Sequence, residues 1–175
     1  MKQNTVRRLV FSAMVAAVYA ALTLALAPIS FGNIQFRIAE ALCVLPYLFP
    51  EAAPGLFIGC LLANIISPYG VLDMIFGSAA TILAALCTML LAKENGGIGR
   101  KLLACAPPVV TNSVMVGAVI AVSGAQNGSF GALFALNALQ IGIGEALVMY
   151  AVGLPLLIWL PKTKLYEKIR SGLHN

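Results

Sequence analysis

Apolar runs broken only by short polar or basic segments fill most of this chain, and they fix its solvent before they fix its fold. Of the 175 residues, 61% are hydrophobic and 10% charged, whereas a water-soluble domain carries roughly 25% charge. One compact core cannot hide that much apolar surface, so the surplus must face lipid. The runs fall at about 9–27, 38–49, 54–67, 72–92, 102–122 and 132–160, with Pro28, Pro50, Pro68 and Pro161 among their terminators. An all-α integral membrane protein follows: one membrane domain over 1–175 with about six transmembrane helices.

Two of the runs are short for the task. At about 1.5 Å per residue, 38–49 and 54–67 reach only about 20 Å against a hydrocarbon core of about 30 Å. Either their flanks extend them, or neighbouring helices shield them around a protein-lined cavity.

The basic residues set the topology. Ten of the eleven Lys and Arg gather before the first run, between the fourth and fifth, or after the sixth: Lys2, Arg7, Arg8, Lys93, Arg100, Lys101, Lys162, Lys164, Lys168 and Arg170. An even number of spans with the N-terminus inside puts all ten in the cytoplasm, together with the C-terminus. That accounts for the net charge of +5 without a nucleic-acid partner. Lys2, Arg7 and Arg8 before an apolar stretch resemble a secretory signal, but the run continues to about Leu26 without a cleavage pattern and reads as a retained helix.

The eleventh cation is Arg37, with Glu40 three residues on, at a spacing that permits a local ion pair. A charge inside the membrane costs about 2.5–3.5 kcal/mol on insertion scales, so it implies a task. Asp73 and Glu145 also lie in apolar runs, without a basic partner in their own helices. Asp73, Gly77, Thr81 and Thr88 share one face of the fourth run; Asn137, Gln140, Gly144 and Glu145 share an arc of the sixth. Asn64 and Asn112 are the polar centres of the third and fifth runs. Such groups turn inward, either to bond a neighbouring helix or to line a site. Three acids against one Arg leave an excess of negative charge, so either one acid is protonated or a cationic, donor-rich ligand completes the cluster. Phe36, Tyr47, Tyr69 and Phe76 lie near in sequence, as stacking surfaces for a flat ring or as interfacial anchors.

Other chemistry is poorly supplied. Cys43, Cys60, Cys87 and Cys105 form no CxxC pair and read as small buried hydrophobes. The one histidine, His174, is terminal, so no metal or acid–base centre is expected. Without a GxxxxGK[ST] loop, any ATP-driven work needs another chain. Ala13, Ala17, Ala21 and Ala25 recur every fourth residue, a ridge that lets a helix approach closely, either within the bundle or from a partner subunit.

The stretch Phe31–Leu42, with its Gln35-Phe36-Arg37 core followed by Glu40-Ala41-Leu42, and Asn64–Gly70 leading into Asp73 together resemble the QueT family. These are substrate-binding (S) components of energy-coupling-factor (ECF) vitamin transporters in the cell membrane. The resemblance covers essentially the whole chain, including Glu145 in the last run. It implies uptake of a queuosine precursor, 7-aminomethyl-7-deazaguanine, bound from outside, with no cofactor and no enzymatic activity of the chain itself. It implies a transmembrane coupling protein and two ATPase subunits as partners, with the ridge Ala13, Ala17 and Ala21 making the contact. Carried onto this chain, the ligand-site candidates are Gln35, Arg37, Glu40, Asn64, Asp73, Asn112 and Glu145. Glu145 is expected to read the guanine-like donor edge, and Glu40 or Asp73 to neutralise the ammonium.

Two alternatives stand beside this reading. One is an S component for another vitamin or flat heterocycle. The other is a solitary proton- or cation-coupled carrier with Asp73 and Glu145 as relays; the inverted repeats that would favour it are not apparent.

Overall fold

Every regular element among the described residues is helical, as a bilayer demands of a chain that must satisfy its backbone internally. The structure is a computed structural model and describes residues 2–32, 34–93, 96–124 and 129–174. Helix α1 (Lys2–Ala25) is followed by a single turn, α2 (Ala27–Ser30). Pro28 falls in the first turn of α2, where its missing N–H is harmless. A 3-10 helix of ten residues (Ile38–Tyr47) comes next. Helix α3 (Ala52–Ala63) then runs into the 3-10 turn Asn64–Ile66.

Helices α4 (Gly70–Leu90), α5 (Ile98–Ala104), α6 (Ala106–Gly124) and α7 (Phe130–Val148) follow. The expected fifth run is thus two helices, with Cys105 between them. A π turn (Met149–Gly153) joins α7 to α8 (Leu154–Trp159), and Pro155 at the start of α8 accounts for it. Proline removes a ladder N–H and crowds the preceding carbonyls, so the helix widens locally. The 3-10 turn Leu160–Lys162 leads into α9 (Lys164–His174).

Four helical segments are long and apolar enough to cross a membrane: Asn4–Ala25, Gly70–Leu90, Ile98–Gly124 and Phe130–Lys162. Ile38–Tyr47 and Ala52–Ile66 are shorter. The two short segments solve their length differently. The 3-10 helix is the hub of the bundle, touching α1, α3, α4, α7, α8 and the π turn. Its residues from Ala39 to Tyr47 are buried except Leu42, which is half-buried. Helix α3 instead turns Ile58 and Leu62 outward. Exposed Val10, Met14, Val18, Ile75, Leu83, Val114, Leu139 and Ile143 continue an apolar outer surface far larger than a water-soluble monomer tolerates.

Helix α1 lies on α3, α4 on α6, and α6 on α7. The first pair is locked by small residues. A Cβ at Gly59 would stand 2.7 Å from the Ala16 carbonyl oxygen and 2.9 Å from the Tyr19 Cβ, and Gly55 faces Ser12 in the same way. Only glycine admits that approach, the small-residue contact that replaces hydrophobic drive in lipid. Ala16 therefore packs inside, while Ala13, Ala17, Ala21 and Ala25 stay exposed on the other side of α1.

Both ends of the described chain meet at one end of the bundle. Arg8 pairs with Glu51 at 3.4 Å, and Arg7 and Arg8 donate to the carbonyls of Gly172 and Leu173 at 3.4 and 3.5 Å. Of the cysteines, Cys43, Cys60 and Cys105 are buried as expected, but Cys87 is exposed on the apolar outer surface.

Candidate functional site

At the other end of α4, about 30 Å from its basic terminus by helical rise, the buried charges gather. Arg37 ends the segment that enters the 3-10 helix, and Asp73 sits in the first turn of α4. The local pairing that spacing suggests, Arg37 with Glu40, does not form. Arg37 Nη2 instead lies 3.0 Å from Asp73 Oδ2, with both side chains buried. The carboxylate's position in a helical first turn leaves it near unpaired backbone N–H groups, which also favour a negative charge there.

Ser67 donates to the same Asp73 Oδ2 at 2.6 Å, and Asn64 Nδ2 donates to the Asp73 carbonyl at 3.0 Å. Arg37 Nε reaches the Ser30 carbonyl at 3.4 Å, and the guanidinium stands 5.2 Å from the Phe31 ring centre. The cation is thus held by a carboxylate, a carbonyl and an aromatic face. Tyr69, half-buried at the mouth, borders this cluster. Burial, and then the Asp73 carboxylate, push its phenol above the ordinary value, so it remains a neutral donor.

Glu40 has a separate setting, one turn into the 3-10 helix. Its Oε1 accepts from the Tyr19 hydroxyl of α1, and its Oε2 from the Cys43 thiol at 3.0 Å. The Thr81 hydroxyl of α4 lies 3.5 Å from Oε1, farther than from its own Gly77 carbonyl at 3.1 Å. Both oxygens of Glu40 are therefore engaged. Tyr19, Cys43 and Ser67 are polar partners that sequence reasoning did not single out. Cys43 reads as a small hydrophobe and Ser67 as the end of the third apolar run.

Glu145 differs from both other acids. It is buried on α7, and Asn112 Nδ2 of α6 donates to its Oε1 at 2.6 Å, its one hydrogen bond among the described residues. Around it lies a cleft too narrow for a water molecule, lined by Gln35, Arg37, Asn112, Val116, Ile141 and Glu145. Two buried polar atoms of this lining have no protein partner, Gln35 Nε2 and Asn112 Oδ1; in the neighbouring ion-pair cluster Asp73 Oδ1 and Asn64 Oδ1 have none either. Each such group costs about 1–3 kcal/mol if left unpaired, so each calls for a physical reason.

Gln35 adds a backbone signal. Its φ is +50°, the one positive value outside glycine among the described residues, at a cost of about 1–3 kcal/mol. Gly144 makes room for this segment: a Cβ there would stand 3.0 Å from Ile34 Cγ2 and closer still to the Ile34 carbonyl. We expect Gln35→Gly to relieve the strain and leave stability within about 1 kcal/mol. The lost Nε2 donor should weaken ligand binding by about 1–2 kcal/mol. Thermal unfolding and titration calorimetry in detergent separate the two effects; an unchanged affinity would remove Gln35 from the site.

The structure brings Gln35, Arg37, Asn112 and Glu145 to one gap, with Asn64 and Asp73 joined to it through Arg37, and sets Glu40 against α1. Among the aromatics, Tyr47 is misplaced by sequence proximity. It points to the basic end, where its hydroxyl donates to the Lys93 carbonyl at 3.4 Å, while Phe31 takes the place under Arg37. Asn137 spends its amide on the Leu133 carbonyl of its own helix at 2.7 Å. No group of three or more His, Cys, Asp or Glu among the described residues has a metal-holding arrangement.

A comparison with family profiles matches residues 9–162 to one described as the QueT transporter. No curated protein and no solved structure matches the chain.

Proposed function

The chain belongs to the QueT transporter family, and on that premise we propose that it is the substrate-binding component of an ECF importer, taking 7-aminomethyl-7-deazaguanine, a queuosine precursor, from outside. The observation that carries the reading is Glu145, a buried carboxylate with one protein hydrogen bond, facing a gap lined by unpartnered amide groups. The guanine-like edge of the ligand offers two adjacent N–H donors, which a carboxylate accepts in a fork. Its carbonyl suits Gln35 Nε2 or Arg37, and its flat ring suits the guanidinium face. For the ammonium, Asp73 retains an unpartnered Oδ1, whereas both oxygens of Glu40 are engaged. Asp73 is therefore the assignment, with its charge shared with Arg37. Because the gap is narrower than a water molecule, entry requires the 34–37 segment to part from α6 and α7.

Six crossings with both termini in the cytoplasm complete the proposal. Lys93, Lys101 and Arg170 line one cavity at the end of α4 opposite Asp73, the segregation the positive-inside rule favours. The exposed alanine ridge Ala13, Ala17 and Ala21 on α1 suits a helix of the coupling protein. Purified alone in detergent, the protein should hold the deazaguanine without turnover. In vesicles it should import only when the coupling and ATPase subunits are added. Ala17→Leu should abolish that import and leave binding unchanged. Uptake by the chain alone would overturn the importer reading in favour of a solitary carrier.

A further inference from the structure

Sequence spacing favours an ion pair that the fold does not make. Glu40 stands three residues after Arg37, and a 3-10 helix has three residues per turn, so side chains at that separation fall in one row. Glu40 and Cys43 belong to such a row, and Arg37 caps the helix just before them, its carbonyl accepting the Glu40 N–H at 2.9 Å. A buried guanidinium and a buried carboxylate this close in the chain attract one another strongly. Arg37 nevertheless turns to Asp73 and leaves Glu40 to neutral groups.

Helix α1 supplies the main restraint on Glu40. The Tyr19 hydroxyl donates to Oε1, while the Cys43 thiol donates to Oε2 at 3.0 Å. Tyr19 is itself fixed. It is buried, its carbonyl accepts from the Thr23 hydroxyl at 3.0 Å, and its Cβ lies against Gly59, where an added Cβ would stand 2.9 Å away. The phenol is thus a rigid donor that reaches Glu40 from a separate helix. Pulling the two apart leaves a buried hydroxyl and a buried carboxylate oxygen unpaired, which both groups resist.

We propose that Tyr19 is a positioning residue for the ligand site: by engaging Glu40, it leaves the Arg37 guanidinium to Asp73 and to the gap beside Glu145. Without the phenol, Glu40 is free to swing toward Arg37 and draw the guanidinium out of that gap. Neither Tyr19 nor Glu40 lines the gap, so the effect passes through Arg37. Tyr19 bears on ligand capture only if the transport reading holds; its hold on the ion pair does not depend on that reading.

One experiment therefore needs no ligand. Thermal unfolding in detergent compares the loss caused by Asp73→Ala in the unaltered protein with the loss it causes in a Tyr19→Phe background. With the hydroxyl present, Arg37 has no second carboxylate to turn to. Without it Glu40 takes over, and the fall in Tm should be no more than about half as large.

A second experiment titrates 7-aminomethyl-7-deazaguanine. Tyr19→Phe should weaken binding roughly tenfold, the worth of one charged hydrogen bond. Adding Glu40→Gln should restore it, because a neutral amide does not compete for the guanidinium. A role confined to packing gives no such recovery, since the second substitution then only disturbs the core further. If Tyr19→Phe does not fold, Cys43→Ala frees the other oxygen of Glu40 and should move both readouts the same way, to a smaller extent. Equal Tm losses in the two backgrounds, an unchanged affinity, or no recovery with Glu40→Gln would each overturn the proposal. Should the unaltered protein not bind the deazaguanine at all, the transport reading falls and the thermal comparison alone decides the role of Tyr19.

Discussion

Asp73→Ala is expected to be among the most damaging single changes in this protein, costing about 3–5 kcal/mol of stability. The substitution leaves the Arg37 guanidinium buried with no carboxylate, since Glu40 is turned away toward Tyr19 and Cys43. The Ser67 hydroxyl loses its acceptor in the same step. A compensating change provides the internal check. Arg37→Met added to Asp73→Ala replaces a buried ion pair by apolar atoms, an exchange that is often close to neutral. The double variant should therefore regain most of the lost thermal stability in detergent, yet still fail to bind ligand. A loss below about 1 kcal/mol for Asp73→Ala would mean that the pair is hydrated and contributes little.

The second large effect falls on ligand capture. Glu145→Gln keeps the shape of the side chain and its ability to accept from Asn112, but gives up the charge and one of two acceptor oxygens. Against a ligand with two adjacent donors, the loss should be about 1.5–3 kcal/mol, or roughly 10- to 150-fold in Kd. Stability should hold or rise, because a lone buried carboxylate in an apolar helix is costly to keep. Binding as tight as that of the unaltered protein would move the recognition of the donor edge away from α7.

These two expectations differ in how far the sequence reveals them. Arg37, Asp73 and Glu145 stand out from sequence alone because lipid makes an isolated charge expensive, so each signals itself against an apolar background. The inward turn of Asp73, Gly77, Thr81 and Thr88 is likewise legible, since helical spacing puts them on one face, and all four are buried. The pairing is not legible. Spacing reports partners three or four residues away, whereas Arg37 meets Asp73 across 36 positions through the packing of separate helices. Tyr47 fails for the same reason: proximity in sequence to Arg37 does not survive a 3-10 helix that carries it to the opposite end. The glycine-locked contact of α1 with α3 hides behind the more conspicuous alanine ridge, which belongs to the outer face. The break at Cys105 and the π turn at Met149–Gly153 interrupt no apolar run, and only the prolines just beyond them, Pro107, Pro108 and Pro155, mark them in the sequence.

The latch between α1 and α9 bears on how the chain is made. Arg7 and Arg8 reach main-chain oxygens of Gly172 and Leu173, across 165 positions. During synthesis α1 must wait, one flank bare, until α9, 165 positions on, has left the ribosome. Long-range closures of this kind come late and slowly, so the α1–α9 contact at the basic end forms after the local helix pairs of the bundle.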